Sequence, residues 1–282
     1  MKILVKKDGE LLDYLVNNID MPRKKIKEYL IHGSIIVNNT KTTKYNYKIY
    51  SGNTIIINTK NNSKKEMPFD IIYEDNHIIV VNKPSNLLTI STDNEKYNTL
   101  YHMVREYVKS INKNNRIFIV HRLDKDTSGV VLFAKDEKTK KILQDNWNEY
   151  VKERCYTAVV HGQLSKEEDT ITNYLNETKT NLVYTTTKDK GKEAITHYKV
   201  VNKTKDYSQL SINIDTGRKN QIRVTLKELG NPILGDKIYG IKDEFKRLFL
   251  HANKLKLYYP YIKKDILFET KIPIDFKKIM KG

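Results

Sequence analysis

Two short apolar runs, residues 117–120 and 130–134, constrain the fold of this chain more than any other feature. They are too short for buried helices and rich in β-branched and aromatic residues, so both read as buried strands. Between them stands His121-Arg122-Leu123-Asp124-Lys125-Asp126-Thr127-Ser128-Gly129, a polar block with two carboxylates, an arginine, a histidine and two hydroxyls. Ser128-Gly129 reads as the turn that closes the block, because glycine takes backbone angles that other residues avoid. A charged loop held between core strands is where rigid scaffolds carry function. On composition alone, a structural Arg–Asp pair explains the block equally well.

At 282 residues the chain has room for one large domain or two. Its formal net charge of +17 exceeds what solubility needs, and favours nucleic acid over an anionic membrane surface as partner. A genome biased towards Lys, Ile and Asn would raise Glu alongside Lys, yet 51 basic residues face 34 acidic ones. No apolar run approaches the roughly 18 residues of a membrane-spanning helix. Charges scattered through the N-terminal apolar residues do not read as a signal peptide. The single cysteine, Cys155, excludes an intramolecular disulfide and a cysteine-rich zinc site, and the seven histidines show no metal-binding spacing. A cytoplasmic, metal-free and cofactor-free protein with no membrane partner is expected, with monomer as the default state.

Residues 1–60 carry 11 basic and 5 acidic residues. Residues 11–16 and 21–30 read as short helices, the second with Pro22 near its start, where a missing N–H is harmless. Leu15, Val16, Ile26, Tyr29 and Leu30 recur at helical spacing and would face a core. Strands are expected at 34–37 and 54–57, and the second helix concentrates Arg23, Lys24, Lys25 and Lys27 on little more than one turn. Such a cluster is either a solvated lysine face or a phosphate site. The polar stretch 59–66 reads as a linker, and a second domain begins at 67. There, 69–73 and 77–82 read as a hairpin, 97–110 as an amphipathic helix, 138–151 as a helix and 155–160 as a strand. Alternation over 170–215 favours antiparallel strands over repeated β/α units. A glycine turn and a helix closed by Gly230 follow, then a glycine-punctuated loop and a late strand from 248.

The pattern Arg23-Lys24-x-Ile26-x-x-Tyr29-Leu30-x-x-Gly33-x-Ile35-x-Val37-Asn38 resembles the small RNA-binding domain of ribosomal protein S-four. The resemblance implies an α/β RNA-binding domain over 1–58. It implies RNA contacts at Arg23, Lys24, Lys25 and Lys27, supported by Tyr29. The motifs EDNHIIVVNKP, HRLDKDTSG, TGRKNQIRV, LGNPILGDKIYG and LHA then occur in the order seen in RluA/RluD-type pseudouridine synthases. That likeness implies an α+β catalytic domain over 67–282, built on a mixed, mainly antiparallel central sheet with an active cleft. Its partner would be large-subunit ribosomal RNA or transfer RNA, with ribosomal RNA favoured.

The same likeness assigns the nucleophile to Asp124, its balancing cation to Arg223 and an active-site ring to Tyr156. Arg122 is assigned to the space that the flipped nucleotide vacates, or to holding the RNA backbone. The chemistry agrees: turning uridine into pseudouridine exchanges a carbon–nitrogen bond for a carbon–carbon bond, which one carboxylate can mediate without cofactor. Attack on the ribose anomeric carbon, elimination through a glycal and addition to carbon 6 of uracil all remain open. Burial would raise the aspartate's reference pKa of about 3.9, so a bidentate arginine is the natural partner. Other readings are weaker. Asp126 is too close in the chain to straddle one bond with Asp124, and His121 with Ser128 lacks a nucleophile elbow. Asn220 and Thr225 depart from relatives that carry His there. A non-catalytic RNA binder and a carboxylate-nucleophile hydrolase are the two rival functions.

Overall fold

The computed structural model describes all residues except 32, 59–66, 68, 93–94 and 282, so the expected linker lies outside the described residues. The chain divides into two compact units, Met1–Met67 and Pro68–Gly282.

The first unit runs β1 (Lys2–Leu4), β2 (Gly9–Glu10), α1 (Leu11–Asn18), α2 (Arg23–Ile31), β3 (Ile35–Val37), β4 (Thr40–Thr42), β5 (Lys48–Ile49) and β6 (Thr54–Ile57). Its main sheet has the order β1-β6-β3-β4. Leu11, Leu12 and Leu15 of α1 and Ile26 and Leu30 of α2 pack on Ile35, Val37, Ile55 and Ile57. The helical spacing of the sequence therefore maps onto one core, with Val16 and Tyr29 at its margin. Asn38 and Asn39 both adopt positive φ, 45° and 66°, which gives the β3–β4 hairpin the twist that type I′ turns match. Strand β1 was not legible in the sequence, because three residues are too few to show alternation.

The second unit begins with β7 (Asp70–Glu74), β8 (Ile78–Lys83), α3 (Leu100–Ile111), β9 (Phe118–Ile119) and β10 (Ser128–Ala134). It continues through α4 (Glu137–Asp145), α5 (Trp147–Tyr150), β11 (Val151–His161), β12 (Glu168–Glu177), β13 (Val183–Thr186), β14 (Lys192–Lys203) and β15 (Tyr207–Ile214). It ends with α6 (Gln221–Glu228), β16 (Leu250–Tyr259), β17 (Lys264–Glu269) and α7 (Ile274–Ile279). One eleven-stranded sheet follows the order β13-β12-β14-β15-β11-β16-β10-β8-β7, with β9 added on β10 and β17 on β16. The mixed, mainly antiparallel sheet expected from the sequence is present. The helix expected over 138–151 is two pieces: Asn146 leaves helical geometry at φ −108° and ψ 20°, and one more turn leads into β11.

Among the described pairings of this sheet, β10 with β16 alone is parallel, through Ser128↔His251 and Gly129↔Ala252. All seven residues of β10 are buried, which explains their unbroken apolar run. The sequence reading of Ser128-Gly129 as a turn is corrected here, since they are the first two residues of the strand. Gly129 has φ +122°, and a Cβ there would sit 2.1 Å from the Ala252 carbonyl oxygen. The glycine is required because two backbones meet at that point, not because the chain reverses. Beyond this joint, Lys254 to Tyr259 of β16 pair with β17, so β10 and β17 share one edge of β16.

Gly129→Ala is expected to cost about 3 kcal/mol or more, from positive φ and backbone overlap together. Gly230→Ala, at φ +80° in open space, is expected to cost about 1 kcal/mol. Urea unfolding of both variants checks the difference.

Candidate active site

The loop from His121 to Thr127 is fastened to residues 83–89 on the chain before it. Lys83 is fully buried, and its ammonium donates to the carbonyls of Pro84 at 2.9 Å, Leu87 at 2.7 Å and Lys125 at 2.9 Å. Ser85 Oγ donates to the Asp126 carbonyl at 2.6 Å, and Thr89 Oγ1 to the Leu123 carbonyl at 2.7 Å. Burial lowers the Lys83 pKa to about 7, against the raising pull of Asp126 and Asp124. Three acceptors match the three protons of a charged lysine, so this residue works as a clamp. None of these contacts was legible in the sequence. Those that reach the loop join its backbone carbonyls to side chains 34 to 42 positions away, and leave no spacing to read.

The loop delivers Asp124 into a cleft of about 270 Å³ whose walls include Arg122, Tyr156, Ile214, Asn220, Ile222, Arg223 and Leu250. Asp124 is the sole carboxylate lining it among the described residues. Burial holds the Asp124 pKa above the usual carboxylate range. The charges of Arg223 and Arg122 and the Asn220 backbone N–H pull the other way. Asp126 does not line the cleft, which fits the view that it is a bystander.

Arg223 alone would read as a surface helix charge, yet it is 3% exposed. Its Nε and Nη2 donate to Asp236 at 2.7 and 2.6 Å. The bidentate grip expected on Asp124 therefore falls on Asp236, and Asp124 receives the arginine's field. Burial opposes the charge on Arg223, but Asp236, with Asp124 and Asp126 behind it, holds that pKa above the ordinary arginine value. Asp236 is in turn held low by Arg223 against its own burial, and it accepts the backbone N–H groups of Ile238 and Tyr239. Arg223 Nη1 also donates to Asn220 Oδ1 at 3.3 Å, and Asn220 Nδ2 to the Tyr239 hydroxyl at 3.1 Å. Asn220 and Thr225 are both buried, and Thr225 Oγ1 accepts from Asn173 Nδ2 at 3.3 Å. Asp236 was missed because its sequence context signals only a glycine-flanked turn.

Tyr156 stands on β11 beside Asp124, with its phenol pushed up to about 12 by burial and by the Asp124 charge, Arg154 opposing. It is uncharged at neutral pH. His121 Nε2 accepts the Leu132 N–H at 3.1 Å, which puts the ring proton on Nδ1. Burial, helped by Arg154, lowers His121 to about 4, so that ring is neutral too. The structure thus brings Asp124, Tyr156, Arg223 and Arg122 around one cleft, with Arg122 exposed. In the first unit, Lys24 and Lys25 are exposed and make no ion pair among the described residues. Arg23 pairs with Asp13 at 3.3 Å, Lys27 lies 5.7 Å from the Tyr45 ring centre, and Tyr29 packs on the core.

Comparison with known proteins places this geometry in context. A model of the RNA pseudouridylate synthase family matches residues 77–228. An uncharacterized RNA pseudouridine synthase of Bacillus subtilis, YhcT, is 29% identical, covering 99% of this chain and 96% of its own length. A second one from that organism, YlyB, is 30% identical over 93% of this chain and 90% of its own. Ribosomal large subunit pseudouridine synthase D of Escherichia coli is 28% identical over 96% and 90%. Human RNA pseudouridylate synthase domain containing 4 superposes with a TM-score of 0.61 at 21% identity, over 73% of this chain and 90% of that one.

Removing one partner of a buried pair strands the other's charge. Arg223→Met is expected to cost about 3–5 kcal/mol of stability. Arg223→Met with Asp236→Asn keeps the acceptor for Ile238 and Tyr239, and is expected to recover most of that loss without recovering turnover. Denaturant unfolding and a turnover assay on both variants check this.

Proposed function

The chain belongs to the RNA pseudouridylate synthase family, and from that premise we propose that it isomerises uridines of ribosomal RNA in the cytoplasm, with Asp124 as nucleophile. The observation that carries the role of Asp124 is its place as the one carboxylate, among the described residues, lining a cleft that also holds Arg223 and Tyr156. A glycosidase-type acid pair needs a second carboxylate across the bond. All three open routes, at the anomeric carbon, at carbon 6 or through a glycal, use this single group. Burial makes the ionised carboxylate less comfortable and more reactive, while Arg223, Arg122 and the Asn220 N–H favour its charged form.

The target base leaves its stack to reach the cleft. Tyr156 offers the ring on which uracil rests, with Ile222 and Leu250 as further apolar wall. Being a neutral phenol, it must first release its own proton before it can accept one from carbon 5. Arg122, exposed at the rim, is suited to fill the vacated stack or hold the backbone. Preference for ribosomal RNA is supported by the name of the Escherichia coli relative and by the basic first unit. We assign RNA binding there chiefly to Lys24 and Lys25, because Arg23 already spends charge on Asp13.

Pseudouridine mapping of total RNA with and without the gene identifies the target, and a loss confined to ribosomal RNA is expected. Asp124→Asn is expected to bind that RNA and form no pseudouridine. A variant with full turnover removes the mechanism. The same variant should be more heat-stable at neutral pH. A carboxyl whose folded pKa is raised loses stability as pH climbs from its unfolded value of about 3.9 to its folded one. Replacing it relieves that cost, and the gain fades as pH falls towards 3.9; a gain of about 1 kcal/mol moves the midpoint about 2–4 °C. Neutralising Lys24 and Lys25 together should lower the slope of log binding against log salt by about 1.4–1.8, and neutralising Arg23 should lower it less.

A further inference from the structure

The cleft also contains a half-buried guanidinium, Arg154, two residues before Tyr156 on β11. Alternate strand residues share a face, and both side chains line the cleft. Arg154 Nη2 donates to the backbone carbonyl of Asp215. The Asp215 carboxylate turns elsewhere, to His197 Nε2 at 2.8 Å. Among the described residues Arg154 makes no ion pair, whereas Arg223 has its charge met by Asp236. The neighbouring Tyr156 phenol is uncharged and offsets nothing.

Asp215 attracts this cation only from a distance, and a cation drawn partly out of water without an ion-pair partner is costly, so the site favours an anion. The guanidinium has one of its five donor hydrogens committed to that carbonyl, and its fork matches two oxygens of a phosphate. Residue 217, beside the guanidinium, gives it room. A Cβ on Gly217 would lie 2.7 Å from Arg154 Nη1, so the bare glycine leaves the space the guanidinium occupies. Uracil and ribose are neutral, which leaves the phosphodiesters as the anions an RNA substrate brings.

We propose that Arg154 binds a phosphodiester flanking the flipped nucleotide and so fixes the ribose in front of Asp124. This rests on the pseudouridine synthase reading above. Arg122 and Arg218 line the same cleft but are exposed, and are suited to looser backbone contacts.

The test uses the full chain and a synthetic RNA around the uridine mapped as above. One set has its natural backbone, and two sets carry a neutral methylphosphonate 5′ or 3′ of the target. Arg154→Gln is expected to raise KM for the natural RNA about tenfold or more, with a smaller change in kcat. It is expected to lower the salt slope of binding by about 0.7, and Arg154→Lys should restore the slope and part of the KM. On one of the two methylphosphonate RNAs the penalty of Arg154→Gln should vanish, since the contact is already lost. A penalty equal on all three RNAs, or an unchanged slope, overturns the proposal and makes Arg154 structural. Wild-type protein that forms no pseudouridine on the mapped RNA overturns the functional reading instead, and the binding slopes still judge Arg154.

Discussion

The approach of Gly129 to Ala252 is the constraint on which this structure turns. Two strands far apart in sequence run parallel there, close enough that a methyl group would overlap a carbonyl. Parallel pairing puts the start of β10 beside the start of β16, so the loop that enters β10 and Leu250 at the head of β16 border the same cleft. On its other side Gly129 pairs with Lys83, the residue whose ammonium gathers the loop's carbonyls. Ser128, one step earlier, bonds His251 Nδ1 at 2.8 Å and accepts from Arg247 Nη2 at 2.6 Å. The loop that carries Asp124 thus enters a fixed strand at a fixed point, and the sheet sets where that carboxylate stands.

Around that point the charges divide by how they are balanced. Arg223 and Asp236 form a closed pair, which lets a buried arginine remain in place and lend its field to Asp124. Asp124 has no such ion pair among the described residues, and burial keeps its pKa raised against the pull of Arg223 and Arg122. Arg154 is the opposite case, a cation whose balance is left to the substrate. The aromatic and imidazole groups nearby, Tyr156 and His121, are neutral at working pH and shape the cleft without adding charge.

Much of this was legible from residues alone. The apolar run 130–134 gave its strand, the alternation over 170–215 gave antiparallel pairing, and the helical spacing of Leu15, Ile26 and Leu30 gave the core of the first unit. These are local signals, set by side-chain period and backbone preference. The errors were equally physical. Ser128-Gly129 looked like a turn, because sequence cannot tell a glycine that reverses the chain from one at which two backbones meet. The helix over 138–151 was drawn too long, because the break at Asn146 carries no Gly or Pro.

The sequence by itself determined the apolar strand over 130–134, the antiparallel character of 170–215, the strongly basic charge and, through ordered motifs, the family, and it nominated Asp124, Tyr156 and Arg223. Tertiary structure alone decided which groups satisfy them. Asp236 takes the fork of Arg223, Lys83 clamps the loop through carbonyls, and Arg154 is left with an open charge. Motifs record residue types along the chain. Ion pairing and desolvation depend on distances between residues that the chain separates and the fold rejoins.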